Sequence, residues 1–258
     1  MTEEYSTVTE LPGHKITREQ LTRLYQRYKF AHSFCKNREV LEVASGSGMG
    51  LGYLAKVAEK VVGGDIDRNI LKYPIEHYKG RDKIELREFD AQNLPFDDES
   101  FDVVILYEAI YYVAKPEEFI SEAHRVLKKN GVLLICTVNK DWSDFNPSSY
   151  STKYFSATEL YSLLNQKFSK IELFGAFPVQ KKGIINKVVS FIKGTAVSFN
   201  LIPKTMKGKE VFKRIFFGKL LTLPAEIDEG VAEYSPPVAF SGDYPNFQHK
   251  VIFSVAHV

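Results

Sequence analysis

Two kinds of hydrophobic pattern follow one another along this chain: short apolar segments, and segments whose apolar residues are spaced as on one face of a helix. A helical spacing follows the first run at Leu51, Tyr53, Leu54 and Val57, and another precedes the fifth. Runs of this length predict strands, and the spaced positions predict amphipathic helices. Repeated strand and helix alternation predicts a parallel, doubly wound sheet whose ligands lie at the carboxyl ends of the strands. The five predicted strands cover residues 40–43, 60–65, 84–89, 101–106 and 132–138, of which 84–89 alternates apolar and polar residues.

Further elements are predicted on both sides of this alternation. Thr17 and Gln20 have the spacing of a capping box and predict a helix over residues 17–35. A helix over 156–165, a strand over 170–174 and a final strand over 249–256 complete the pattern. The pair Asn130 and Gly131 is expected to end the preceding helix as a left-handed cap.

A glycine turn follows the first strand. Gly46, Gly48 and Gly50 stand between an apolar run that contains Glu42 and the next helical pattern. Glycines allow positive φ and leave room for a ligand to approach the amide groups of a helix N-terminus. Alternatively, they serve close packing alone.

Asp65 ends the second strand, 19 residues after Gly46. An acid at about this distance can accept hydrogen bonds from ribose hydroxyls, and the spacing favours this role over that of an ordinary solvent-exposed acid at a strand end. The nicotinamide fingerprint needs a third glycine, but Leu51 or Tyr53 occupies that position. The spacing therefore favours another nucleotide-like ligand.

Composition indicates a single domain of ordinary type. The 258 residues are 44% hydrophobic and 26% charged, which suits one α/β domain with a sizeable core. Cys35 and Cys136 are far apart and predict reduced, buried thiols, and the histidines lack metal-ligand spacing, so no metal is expected. The acidic start at residues 1–4 differs from a signal peptide, so a cytoplasmic location is expected.

Charge is distributed unevenly, although the net charge is only +2. Residues 181–219 contain ten basic residues and one acid, with apolar residues at helical spacing. Three interpretations stay open: a lid over the site, a surface for an anionic membrane interface or a lipid-linked acceptor, and a homodimer interface. Nucleic acid is the least favoured partner. The acids within 226–243 either fold back onto this basic segment or are solvated.

These motifs together resemble the class I S-adenosylmethionine-dependent methyltransferases, in the branch that includes quinone and sugar methyltransferases. The matching segments run in order over about residues 38–138 and include the glycine turn, Asp65, the pair Asp90 and Ala91, residues 94–104 and residues 125–131. Ala44 stands where the family has its first glycine, which is acceptable if its φ is negative.

The resemblance implies a Rossmann-like, mostly parallel, seven-stranded sheet with an antiparallel last strand. It also implies one methyltransferase domain with an N-terminal cap helix over 1–37 and an insertion over 176–245. In the family, the acid matched by Asp65 holds the cofactor ribose, and the acid matched by Asp90 binds the adenine amino group. The predicted S-adenosylmethionine contacts are Glu42, Ala44, Ser45, Gly46, Gly48, Asp65, Ile66, Asp90, Ala91, Tyr107 and Tyr28.

The implied activity is methyl transfer to an O, N or C atom of a small molecule, a sugar or glycan, or a lipid-linked acceptor. A quinone-like aromatic acceptor is the alternative within enzymes, and a non-catalytic cofactor-binding protein is the alternative outside them. Since positioning supplies most of the rate enhancement, a base is not obligatory. Glu108, Tyr111 and His14 are the candidates for a base or an orienting group.

Overall fold

The computed structural model describes residues 9–179 and 220–258, and in them one large sheet has helices on both faces. Its eight strands lie in the order β4-β3-β2-β5-β6-β10-β7-β9, and a separate pair joins β1 and β8. The strands are β1 (Lys15–Ile16), β2 (Glu39–Val43), β3 (Lys60–Asp65), β4 (Ile84–Glu88), β5 (Phe101–Tyr107), β6 (Leu127–Val138), β7 (Lys170–Pro178), β8 (Leu221–Thr222), β9 (Val238–Phe240) and β10 (His249–His257). The helices are α1 (Arg18–His32), α2 (Leu51–Ala55), α3 (Arg68–His77), α4 (Pro116–Val126) and α5 (Ala157–Leu164).

The predicted Rossmann-like architecture is confirmed. Strands β2 to β6 pair in parallel, and β10 runs antiparallel between β6 and β7. The sheet has an eighth strand, β9, which comes from within the segment predicted as the insertion. Three half-exposed or exposed residues on a sheet edge give no clear apolar alternation, so this strand leaves little signal in the sequence.

The predicted end of the fourth helix is wrong. That helix ends at Val126, and Leu127 is already extended and paired with Phe101. Asn130 does adopt a positive φ of 66°, but it does so inside β6. Leu127 is buried and pairs with the neighbouring strand, so tertiary pairing overrides the local helical spacing.

Two of the predicted helices, α1 and α5, begin at capping boxes. The Thr17 hydroxyl accepts from the Gln20 amide and the Gln20 side chain accepts from the Thr17 amide, as predicted. Ser156 and Glu159 form the same reciprocal pair at the start of α5. These bonds satisfy amides that have no partner inside the helix.

Residues 223–231 form a strap across the outer side of α1 and α2. Glu229 accepts from Tyr25 and Lys29 and is also bound by Tyr53, while Asp228 pairs with Lys56. In the same strap, Glu226 pairs with His77 and Arg81. These three acids therefore pair with groups of the folded core, and Asp228 and Glu229 are also exposed to solvent, as one of the two expectations had it. Contact of the acids with the basic segment stays a prediction, because residues 181–219 lie outside the described residues.

The strap and the N-terminal segment meet beside the glycine turn. Antiparallel pairing of β1 with β8 joins residues 15–16 to residues 221–222. Ser47 donates to the Glu10 carbonyl at 2.8 Å, and Gln20 donates to the Glu10 carboxylate at 2.8 Å. The N-terminal segment is thereby held over the carboxyl ends of the strands.

The basic residues predicted as a lid, membrane surface or dimer interface fall at 181–219, outside the described residues. The boundary of that predicted insertion is nevertheless later than residue 176, because β7 continues to Pro178. Among the described residues, every helix is too short or too polar to cross a membrane.

Candidate functional site

A cavity of about 480 Å³ opens at the carboxyl ends of β2, β3 and β5. This volume is within the range that binds a cofactor-sized ligand. All of the predicted cofactor contacts except Gly48 line it, as do Glu108 and Tyr111. Side chains of α1 and of the N-terminal segment close its other side.

The glycine turn places bare backbone beside Asp65. Gly46 has a φ of 56°, and its amide donates to Asp65 Oδ2 at 3.0 Å. Gly48 has a φ of 70° and supports the turn from behind, since a Cβ there would lie 2.6 Å from Pro74. At Gly50 a Cβ would lie 1.9 Å from the ring of Tyr28, so this glycine makes room for that ring.

The φ angle of Ala44 differs from the one that the sequence comparison called for. Its φ is 53°, in the left-handed region, whereas an alanine at this position was expected to have a negative φ. The left-handed conformation costs a residue with a Cβ about 1–2 kcal/mol. The turn therefore carries that strain at Ala44.

Replacing Ala44 with glycine is therefore expected to raise the free energy of unfolding by about 0.5–1 kcal/mol, since relief of strain exceeds the added flexibility of the unfolded chain. Urea unfolding followed by circular dichroism measures this. Ala123→Gly is the matched control, because Ala123 lies inside α4 and its replacement should destabilise the protein. A loss of stability in Ala44→Gly would contradict the strain.

Glu42 and Arg27 present opposite charges to the cavity. The Tyr28 hydroxyl donates to Glu42 Oε1 at 2.6 Å, whereas Glu42 Oε2 is buried and has no hydrogen-bond partner among the described residues. Arg27 Nε is likewise buried and without a partner in the described part of the chain. A buried carboxylate oxygen and a buried guanidinium N–H that are both left open are suited to a ligand that carries an ammonium and a carboxylate.

Burial controls the protonation of this pair. It raises the pKa of Glu42 to about 7, against the hydrogen bond from Tyr28 and the charge of Arg27. Burial also opposes the charge of Arg27, but nearby groups, with Glu108 foremost, hold the pKa of Arg27 above its ordinary value. Arg27 therefore stays charged, and Glu42 titrates near neutral pH.

The acids predicted to bind a nucleoside also line the cavity. Asp65 is buried, and its second oxygen accepts from the Asp67 amide at 3.0 Å. Burial raises the pKa of Asp65, and the backbone hydrogen bonds oppose that shift. Asp90 accepts from the Gln92 amide at 2.9 Å, and Ile66 is 53% exposed beside it in the lining.

Glu108 lies directly after β5 in a strained conformation, with a φ of 52°. Its amide donates to the Cys136 carbonyl at 2.7 Å, which holds the residue at the end of the sheet. The Tyr111 hydroxyl donates to Glu108 Oε2 at 3.1 Å. Burial, followed by the charge of Glu108, raises the pKa of Tyr111 well above its ordinary value. Tyr111 therefore orients Glu108 as a donor and is unsuited to act as the base.

An aromatic wall stands behind Tyr111. The ring of Tyr154 stacks on that of Tyr111 with centroids 4.9 Å apart, and Phe145 packs against Tyr154 at 4.7 Å. The Thr152 amide donates to the Tyr111 carbonyl at 2.7 Å and ties the two segments together. Since Tyr111 and Tyr112 line the cavity, this end of it suits a planar or apolar body.

The candidate base His14 and the buried Asn139 lie outside this cavity. His14 is absent from the lining formed by the described residues, and its Nδ1 faces the Leu11 amide at 3.3 Å. Asn139 is buried and donates to the His249 carbonyl at 2.9 Å, so it supports the loop after β6. The geometry offers no support for His14 as a base.

Arg23 and Arg27 are lining residues that the sequence reasoning missed. Both belong to α1, from which the sequence predicted only Tyr28 as a cofactor contact. Their spacing of four residues, on the face that carries Leu24 and Tyr28, was the available signal. An arginine on a helix is ordinarily exposed to solvent. These two line the cavity because α1 packs over the carboxyl ends of the strands.

Residues 41–135 match a family model described as a methyltransferase domain. That match spans the glycine turn, Asp65, Asp90 and Glu108, which the fold brings to one cavity. Residues 41–135 therefore form a methyltransferase domain, similar to those of S-adenosylmethionine-dependent methyltransferases. The predicted family and cofactor are thereby confirmed.

Named relatives agree with this identification of the methyltransferase domain. The chain is 33% identical over 155 residues to a probable S-adenosylmethionine-dependent methyltransferase of Mycolicibacterium smegmatis, covering 58% of this chain and 57% of that protein. It is 26% identical over 196 residues to a ubiquinone biosynthesis O-methyltransferase of Roseobacter denitrificans, covering 67% and 74%. The chain spans little more than half the length of the first of these relatives.

A solved structure shares the fold of the methyltransferase domain. A candidate methyltransferase from Bacillus halodurans superposes with a TM-score of 0.53 at 21% identity, covering 89% of this chain and 96% of that one. At this identity the likeness concerns the fold alone. The roles of individual cavity residues therefore depend on the geometry described above.

Proposed function

We propose that this protein transfers the methyl group of S-adenosylmethionine to a hydroxyl of a small molecule held between α1 and the segment after β5. The proposal is carried by the open Glu42 Oε2 and Arg27 Nε, which are buried beside the glycine turn. An amino acid tail has an ammonium and a carboxylate, so it satisfies both atoms at once. Asp65 and Asp90 provide acceptors at the nucleoside end.

The chain positions the reactants and handles one proton. Glu42, Arg27, Asp65 and Asp90 would hold S-adenosylmethionine, which would supply a methyl group on a sulfonium with a neutral thioether as the leaving group when the acceptor oxygen bonds to the methyl carbon. Glu108 accepts the proton of the acceptor hydroxyl, and the Tyr111 hydroxyl holds that carboxylate in place. Alignment of the reactants contributes ~7–11 kcal/mol, and a base adds about 3–5 kcal/mol.

The aromatic wall supports a quinone-like or other planar acceptor. Tyr111 and Tyr112 face the cavity, and Tyr154 supports Tyr111 by stacking. A relative named as a ubiquinone biosynthesis O-methyltransferase has an acceptor of related class by its name. Sugar or lipid-linked acceptors and a homodimer or membrane contact through 181–219 remain further proposals, which depend on residues outside the described part of the chain.

Calorimetry with S-adenosylhomocysteine at several pH values tests the cofactor site. Binding the ammonium requires ionised Glu42, and its pKa is about 7. Affinity is therefore expected to fall as the pH drops below about 7, approaching tenfold per pH unit. Glu42→Gln should bind more weakly above pH 7 and lose this pH dependence.

Release of S-adenosylhomocysteine in a screen of phenols, catechols and sugars then separates an enzyme from a binding protein. Methyl transfer to a catechol supports the proposal. Tight cofactor binding without release from any acceptor would favour the non-catalytic alternative. Absence of binding by the wild type at every pH would refute the proposed function.

A further inference from the structure

Two arginines of α1 line the same cavity at different depths. Arg23 and Arg27 are four residues apart, so they lie on one face of the helix and about 6 Å apart along its axis. A single carboxylate on the cofactor tail accounts for one of them. The other is available to a second ligand group.

Arg27 belongs to the cofactor end. It directly precedes Tyr28, whose hydroxyl binds Glu42 at 2.6 Å, and its charge interacts with Glu108 as well as with Glu42. Arg23 lies one turn towards the start of α1. Its guanidinium lies over the ring of Phe177 near the end of β7, on the side of the sheet formed by β6, β10 and β7.

Arg23 is held in place with one donor left open. Its terminal nitrogen pairs with Glu19 at 2.7 Å, and its guanidinium carbon lies 5.1 Å from the ring centroid of Phe177. Arg23 Nε is buried and has no hydrogen-bond partner among the described residues. A guanidinium fixed in this way is preorganised for an additional acceptor.

The surroundings of Arg23 are rich in donors. Lys250 Nζ lies 3.5 Å from the same Glu19 carboxylate and 5.5 Å from the ring centroid of Trp142. Trp142 Nε1 is buried and also without a partner in the described part of the chain. Two cations share one carboxylate here, so the Arg23 cluster (Glu19, Arg23, Trp142 and Lys250) keeps a positive charge.

We propose that Arg23 binds an acidic group, a carboxylate or a phosphate, on the methyl acceptor. This inference rests on the proposed function and narrows its acceptor to planar molecules that carry an anion. The aromatic wall contacts the body of the acceptor, and Arg23 fixes the orientation of that body relative to Glu108. Neutral acceptors of the same shape lack this second anchor.

Binding of simple probes to the protein saturated with S-adenosylhomocysteine tests the inference. Trp142, the single tryptophan of the chain, reports binding through its fluorescence. Benzoate and phenyl phosphate are compared with neutral benzamide. At least one of the two acids is expected to bind about tenfold more tightly than benzamide, because a hydrogen bond to a charged group provides that preference.

Two variants separate recognition from general effects. Arg23→Gln should remove the preference for the acid and leave S-adenosylhomocysteine affinity unchanged, whereas Arg18→Gln, at an exposed position of α1, should keep both. Equal binding of acid and amide by the wild type, or no binding of either acid at millimolar concentration, overturns the inference. A loss of S-adenosylhomocysteine affinity in Arg23→Gln also overturns it, by placing Arg23 at the cofactor end. Failure of the wild type to bind S-adenosylhomocysteine would instead refute the proposed function.

Discussion

Replacing Arg27 with glutamine is expected to weaken binding of S-adenosylhomocysteine by about 100-fold. The variant loses a charge-assisted contact to the carboxylate of the tail, and that carboxylate is then buried without its cation, a loss of about 2–5 kcal/mol. Arg27 Nε is buried and unpartnered among the described residues, so no protein group replaces the ligand there. Isothermal titration calorimetry measures the change.

A ligand without the tail is the control for this prediction. 5′-Methylthioadenosine keeps the nucleoside but has neither carboxylate nor ammonium, so Arg27→Gln should leave its affinity unchanged. Arg18→Gln tests whether loss of any positive charge from α1 has the same effect, and it should not. Equal weakening of both ligands by Arg27→Gln would show that the variant disturbs the fold of the cavity.

Replacing Glu108 with glutamine is expected to lower kcat for a hydroxyl acceptor by about 10²–10³-fold, because the amide cannot take the proton. The isosteric amide keeps the hydrogen bond from the Tyr111 hydroxyl, which lies 3.1 Å from Oε2. Affinity for S-adenosylhomocysteine should stay the same. The rate is measured with an acceptor identified by the release screen.

Glu99→Gln is a close match for this variant. Glu99 also has a positive φ, 53°, but it is exposed and absent from the cavity lining. It therefore controls for loss of a carboxylate on strained backbone, and its kcat should equal that of the wild type. A fall of less than fivefold in Glu108→Gln would contradict proton removal by Glu108 and would leave positioning as the whole of catalysis.

The sequence by itself determined the sheet and the cofactor end of the site. Strand runs and helical spacing are local, and the carboxyl ends of parallel strands meet at one edge, so the glycine turn, Asp65 and Asp90 had to converge. The capping box of Thr17 was likewise visible, because its two hydrogen bonds join residues three apart. These features depend on contacts between residues close in sequence or on the pairing rule of the fold.

Only the tertiary structure decided what faces that edge from α1 and the N-terminal segment. Glu42 and Arg27 are 15 residues apart, and no pattern in the sequence indicates that they lie close together. Their opposition depends on the angle at which α1 packs, which the Tyr28 ring sets by entering the space left open at Gly50. The three acids of the strap likewise pair with basic residues that are up to 200 residues away in the sequence, so local pattern could not predict these pairs.

Backbone strain was the other feature that local pattern concealed. Ala44 and Glu108 both adopt positive φ at strand ends, although neither is a residue type that favours it. Strand pairing on either side forces these conformations, as the bond from the Glu108 amide to the Cys136 carbonyl illustrates. The sequence thus determined which strands form, and packing between distant segments decided which side chains face the ligand.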